Sequence, residues 1–455
     1  MKLRSSYVCQ QCGYETPQWY GRCPQCGEWN SLVETVKDVG RQVTGDRRQV
    51  GPHAKPQKLS EVRHIEKNRL KSGFGEFDRV VGGGIVPGSV TLLAGDPGIG
   101  KSTLLLHVLA HIGGLYVSGE ESTEQVKLRA KRLGIGGENI AILAETNTEA
   151  IIGAISADTE SGIMNHEENK KNHNSLFTIP NSLVVIDSIQ TLSTGDLAGM
   201  AGSVGQIRRS AELLIQTAKE QGISILIIGH VTKEGAIAGP KVLEHMVDTV
   251  LYLEGERFAN ARILRTLKNR FGPIEEVGIF EMRDSGLTEV SNPSALFLQD
   301  RVKNVPGSAV TVIMEGTRPM LVEIQALVVP SQLAMPRRVG NGVEYNRLQL
   351  IVAILQKRLN IPLGSFDIFV NVSGGLRIEE PAADLAIALA IISSFRNKPI
   401  DAKIAVFGEL GLLGEVRSIG SEERRIKEAK RLGFDTSLSP KTARNLKQAS
   451  DQFLG

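Results

Sequence analysis

The nonapeptide Gly95-Asp96-Pro97-Gly98-Ile99-Gly100-Lys101-Ser102-Thr103 constrains this chain more than any other feature. It satisfies G-x-x-x-x-G-K-[ST], and its flanks are those the pattern requires. The apolar run Ser89–Ala94 before it reads as a buried strand, and Thr103-Leu104-Leu105-Leu106 after it opens a helix that ends near Gly113-Gly114. Strand, glycine loop and helix N-terminus together aim free backbone N–H groups at bound phosphates. Lys101 is placed to reach the β- and γ-phosphates of ATP, and the Ser102 hydroxyl to bind Mg²⁺. The expected fold is therefore α/β, with a parallel sheet and crossover helices.

Further strands end in polar residues. Leu115–Ser118 runs into Gly119-Glu120-Glu121, and Ser122-x-x-Gln125 then reads as a capping box for a helix through Leu133, stopped at Gly134. Glu120 is expected to act as the catalytic base that orients water. Compensation of the helix dipole is the alternative for Glu121, and applies to Glu120 as well. The strand Leu183–Ile186 ends in Asp187, the expected partner of the loop's Mg²⁺. Ile223–Gly229 leads to His230, which is either a γ-phosphate sensor or a hydrogen-bonded loop histidine. Between these two strands lie the glycine-rich stretch Gly195–Gly205 and a helix near Val204–Gln221 carrying Arg208 and Arg209. The polar, Asn-rich residues 157–175 are expected to be a solvated surface loop.

All four cysteines lie near the start, as Cys9-x2-Cys12 and Cys23-x2-Cys26. Two close pairs of thiolates make a closed tetrahedral site that suits Zn²⁺, and so small a module needs the metal to fold. Tyr7, Trp19, Tyr20 and Trp29 either pack around the metal or form a stacking face, and packing is the expected role.

With 455 residues the chain exceeds one ordinary core. We divide it into a cysteine module at 1–30, a basic linker at 31–58, a phosphate-loop domain at 59–294 and a second α/β domain at 295–455. No apolar run is long enough to span a bilayer, and Met1-Lys2-Leu3-Arg4 leads into the cysteine motif, so a cytoplasmic protein with no membrane partner is expected. A net charge of +3 says little, so charge is read locally. Residues 41–72 hold nine Lys or Arg against three acids, a run suited to sequence-independent phosphate contacts.

These pieces in this order, followed by Lys268-Asn269-Arg270-Phe271-Gly272, resemble the bacterial RadA (Sms) family over nearly the whole chain. The resemblance implies a zinc module, a RecA-like ATPase and a Lon-protease-like C-terminal domain. It also implies ATP-dependent work on single-stranded and branched DNA in recombination and repair, with RecA as partner and a hexameric ring as the assembly. Lys268 and Arg270 would then act catalytically on a neighbouring subunit's nucleotide; a solvated surface pair is the alternative. In the C-terminal domain the Lon family's catalytic serine position is Ala382, and its lysine position matches Glu423. Without hydroxyl or amine no nucleophile can be activated, so the domain is expected to be a proteolytically inactive scaffold. An ATP-dependent ring protease and a KaiC-like signalling ATPase are the competing readings.

Overall fold

The structure is a computed structural model and describes residues 4–9, 14–29, 31–37, 69–164, 183–230, 240–255 and 261–454. At the start, β1 (Arg4–Cys9), β2 (Glu15–Thr16) and β3 (Leu32–Lys37) form a sheet of order β2-β1-β3. Strand β3 lies where the linker at 31–58 was expected. Its sequence, Leu-Val-Glu-Thr-Val-Lys, is half β-branched and pairs antiparallel with β1 from Cys9↔Leu32 to Arg4↔Lys37.

The next elements are α1 (Gly75–Val80), β4 (Val90–Gly95), α2 (Lys101–Ile112), β5 (Gly114–Ser118), α3 (Thr123–Arg132), β6 (Ile140–Ala144), α4 (Thr148–Met164), β7 (Leu183–Asp187), α5 (Val204–Gln221), β8 (Ser224–His230), α6 (Pro240–Glu244) and β9 (Thr249–Glu254). The strands run parallel in the order β9-β4-β8-β7-β5-β6. Strands β4, β5 and β7 are buried throughout, which their Val, Leu and Ile runs require of strands covered on both faces. Ile151 and Ile155 of α4, and Ile207, Ala211 and Leu214 of α5, pack on this sheet in one continuous core. The expected capping box at Ser122 and Gln125 is present. One expectation fails: α4 runs on to Met164, so the first part of 157–175 is helix, because Ala157 through Met164 holds no proline and continues a helical run. The rest of that stretch lies outside the described residues.

A second set follows: β10 (Ala261–Asn269), β11 (Val277–Arg283), β12 (Gly286–Glu289), α7 (Pro293–Leu298), β13 (Ser308–Glu315), β14 (Arg318–Pro330), β15 (Arg338–Asn341), α8 (Tyr345–Leu359), β16 (Phe366–Val372), α9 (Asp384–Arg396), β17 (Ile404–Val406), β18 (Glu409–Leu410), β19 (Val416–Arg417), α10 (Glu422–Arg431), β20 (Thr436–Leu438) and α11 (Leu446–Leu454). Its main sheet is β15-β16-β14-β13-β17-β20. Helix α9 is buried from Asp384 to Ser393, as its Leu-Ala-Ile-Ala-Leu-Ala-Ile-Ile sequence demands.

The chain forms two compact units, and it does not pass from one to the other at a single point. Met1–Leu253, Thr266–Ile274 and Asp284–Gly286 belong to the first; Glu254–Arg265, Glu275–Arg283 and Leu287–Gly455 belong to the second.

Candidate functional site

The register brings the strand ends together in two level pairs. Gly95 of β4 lies opposite His230 of β8, and Ser118 of β5 lies opposite Asp187 of β7. Loops leaving adjacent carboxyl ends of a parallel sheet are where such folds bind ligands. Between β4 and α2, Gly95 and Gly100 adopt φ of 149° and 114°, and a side chain at Gly95 would strike the Leu253 carbonyl. The remaining loop residues Asp96, Pro97, Gly98 and Ile99 wrap the N-terminus of α2, on which Lys101, Ser102 and Thr103 form the first turn. At Gly98 a side chain would meet nothing within 4 Å, so the loop faces open space.

Lys101 is buried, and its Nζ donates to the carbonyl oxygens of Gly95 (2.8 Å) and Asp96 (2.9 Å). Burial pulls its pKa down to about 8, against the raising pull of Asp187, Asp96 and Glu120. Glu120 accepts from the Ser188 hydroxyl at 2.7 Å and lies 3.6 Å from His230 Nε2. Burial, and then the Lys101 charge, lower the His230 pKa, and its buried Nδ1 has no hydrogen-bond partner among the described residues. The imidazole is therefore neutral at pH 7 and has hydrogen-bonding capacity to spare.

Asp187 is held from behind. The buried Tyr116 hydroxyl donates to its Oδ2, and Arg129 of α3 donates to Tyr116 Oη at 2.7 Å. Burial drives the Tyr116 pKa well up, so the phenol stays a donor. Arg129 also pairs with Glu121 at 3.1 Å. The two glutamates are thus divided: Glu121 is tied to Arg129, whereas Glu120 belongs to the Lys101–Ser188–His230 side. Sequence reasoning missed Tyr116, Arg129 and Ser188, although the position of Ser188 directly after Asp187 offered a signal for the last. It also missed Gln206, buried at the start of α5, which holds the glycine-rich loop by donating to Leu197 O and accepting from Thr194 N. Arg208 pairs with Glu212 at 3.2 Å and Arg209 with Asp196 at 2.8 Å, so neither cation is bare.

Lys268 and Arg270 lie away from this cluster in their own subunit's bonding. Lys268 Nζ donates to the carbonyls of Glu244 (2.7 Å), Val247 (2.8 Å) and His245 (3.3 Å), closing the end of α6. Arg270 is half exposed and pairs with Asp248 at 3.1 Å; the other Asp248 oxygen accepts from Val90 N at the start of β4. Of the basic run 41–72, residues 41–68 lie outside the described residues. Arg69 and Lys71 donate to the carbonyls of Phe271 and Gly83, which makes them loop anchors.

In the cysteine module the sulfurs of Cys9, Cys23 and Cys26 all lie within 4.8 Å of one another, and Cys12 lies outside the described residues. Three converging soft donors fit a thiolate-bound metal ion. Tyr7 packs against Cys9, Cys23 and Leu32 as expected. Trp19, Tyr20 and Trp29 do not. They are 54%, 43% and 68% exposed, because the few buried positions of so small a core are already filled by Tyr7, Tyr14 and Leu32.

In the second unit Ala382 is buried in a short 3-10 turn before α9, and Glu423 is exposed in the first turn of α10. What meets beside Ala382 is an ion pair. Glu380 receives two bonds from buried Arg425, at 2.9 and 2.6 Å, and a third from Met314 N. A cavity of about 700 Å³ nearby is lined by Glu254, Arg265 and Glu315, and Arg265 is bonded to both acids.

A protein named DNA repair protein RadA from Bacillus subtilis is 48% identical over 449 residues, covering 96% of this chain and 93% of its own. The chain belongs to the RadA family of DNA repair proteins. RadA proteins of Listeria monocytogenes (46% identical, covering 97% of this chain and 93% of theirs) and Synechocystis (45%, covering 100% and 92%) agree. Family models match in three places: KaiC over residues 70–291, the rubredoxin metal-binding domain over 7–34, and subunit ChlI of Mg-chelatase over 340–443. The chain is accordingly a DNA repair ATPase with a metal-binding cysteine module. Among solved structures, the ATPase domain of G40P aligns with 49% of this chain and 92% of its own at 15% identity and a TM-score of 0.38. No helix among the described residues is long and apolar enough to cross a membrane.

Proposed function

We propose that the chain is a DNA-stimulated ATPase that moves as a hexameric ring on single-stranded DNA and extends branched recombination intermediates with RecA, in the cytoplasm. The observation that carries the reading is the convergence of Lys101, Glu120, Asp187 and His230 on the ends of four adjacent strands. In this reading the loop Gly95–Thr103 holds the phosphates and Lys101 neutralises the β- and γ-phosphate charge. Ser102 and Asp187 would hold Mg²⁺, which supplies charge stabilisation when bound. The Tyr116 bond leaves Asp187 Oδ1 for that task. Glu120 orients the attacking water, with Ser188 fixing its carboxylate, and neutral His230 senses the γ-phosphate. Lys268 and Arg270 act on a neighbour's nucleotide. Cys9, Cys12, Cys23 and Cys26 hold zinc, and residues 295–455 form a scaffold without protease activity.

The test is mixing. Arg270→Ala subunits keep their own phosphate loop, and Lys101→Ala subunits keep their arginine. Each should be nearly inactive alone, and mixed assemblies should recover part of the single-strand-stimulated ATPase. No recovery despite confirmed co-assembly removes the role in trans. Hydrolysis indifferent to single-stranded DNA would favour a KaiC-like signalling ATPase or a ring protease instead.

A further inference from the structure

The exposed aromatics of the cysteine module are not scattered. Gly21 sits between two of them: a side chain at this glycine would begin 3.7 Å from Trp19 Cη2 and 3.7 Å from Trp29 Cζ3. The edges of both indoles therefore approach the bare backbone of Gly21. Gly21 does not have the positive φ that would demand glycine, and its virtual Cβ makes only ordinary contacts. The missing side chain keeps the gap open rather than serving the turn.

The walls are braced. Arg22 and Trp29 are joined by an antiparallel bridge, and the Arg22 guanidinium lies 5.9 Å from the Trp29 ring centroid. Arg22 Nε donates to Gly27 O at 2.6 Å, which pins the cation beside the ring while leaving the residue exposed. Tyr20 stands exposed next to the gap. A cleft with two aromatic edges and one fixed cation at its rim suits a flat ring attached to an anionic backbone. Duplex bases have their faces covered by neighbours, so the matching ligand is an unpaired base. A single cation at the rim adds little by bulk charge, so stacking must supply most of the affinity.

We propose that Trp19, Gly21, Arg22 and Trp29 form a base-stacking site for single-stranded nucleic acid, separate from the strand-end loops of the ATPase. It rests on the proposed function only for the choice of DNA as the ligand.

The molecule supplies its own reporter, because Trp19 and Trp29 are the only tryptophans in the chain. The full-length protein would be titrated with fluorescein-labelled oligothymidylate for polarisation and with the unlabelled oligomer for tryptophan emission. Saturating oligothymidylate should quench the emission; duplex DNA and a base-free deoxyribose-phosphate strand should not. Gly21→Val, which fills the floor and keeps both rings, should abolish the quenching and weaken single-strand binding roughly tenfold. Gly21→Ala should give a smaller loss of the same kind. Metal content and basal ATPase, measured on each variant, should match the wild type and show that the module is folded. Emission that stays constant while polarisation reports binding overturns the slot and leaves the motor reading standing. Equal quenching by the base-free strand also overturns it. Absence of any oligonucleotide binding overturns both.

Discussion

The two units each carry buried charge, and they treat it in opposite ways. In the first, Lys101 is desolvated until its pKa is about 8, and His230 keeps a buried nitrogen without a partner among the described residues. Three carboxylates, Asp187, Asp96 and Glu120, offset the burial of that lysine only in part. In the second, Glu380 takes three hydrogen bonds from Arg425 and Met314, and Asp384 is held by Arg347 Nε and Nη2 and by Leu410 N. Those charges are spent on one another. Strongly desolvated charge of the first kind clusters at ligand sites, whereas a closed pair serves structure, even when a cavity lies next to it.

If the closed pairs are structural, opening one should act on stability alone. Arg425→Ala strands the Glu380 carboxylate and should lower the stability of the second unit by about 3–5 kcal/mol, read by denaturant unfolding. The double replacement Glu380→Leu/Arg425→Met should restore most of it, and neither should change the basal ATPase rate. In the first unit the pattern should reverse. Lys101→Ala should cost about 10²–10³ in ATP turnover with the unfolding transition retained, because it removes transition-state charge and little packing. Near-normal turnover by this variant would dissolve the contrast.

A finer cut is Tyr116→Phe, which keeps the buried ring but frees Asp187 Oδ2. Turnover should fall about tenfold, with a matching rise in the Mg²⁺ concentration needed for half activity. A purely structural role would lower stability and leave the Mg²⁺ requirement alone. The smallest effect concerns pH. Below pH 8 Lys101 is charged both before and after nucleotide binds, so affinity should be flat. Phosphates raise its pKa, so above pH 8 binding must take up a proton and affinity should fall, by about fivefold between pH 8 and 9. Lys101→Arg should flatten that profile.

How much of this could be read beforehand follows from the range of the forces involved. The loop Gly95–Thr103, the capping box at Ser122 and Gln125, and helix Val204–Gln221 are set by neighbours in sequence, and all were legible. Tyr116 and Arg129 were not, since their bonds to Asp187 span 71 and 58 positions and exist only once β5, α3 and β7 meet. The aromatics misled for a related reason. Tryptophan usually goes inside, but a sheet of three short strands filled by Tyr7, Tyr14 and Leu32 has no room left for it. Strand β3 reads as linker in the sequence because its six residues gain their meaning only from pairing with β1.

The interleaving of the two units sets a timetable for the chain as it leaves the ribosome. Leu253 can emerge with the first unit still unfinished, because Thr266–Ile274 and Asp284–Gly286 complete it, and between them come stretches that belong to the second. At about 5–20 residues per second that wait lasts several seconds, during which β4 through β9 must hold without their last pieces. The same weave means that gene truncation at any codon before Asp284 in this region leaves both units incomplete.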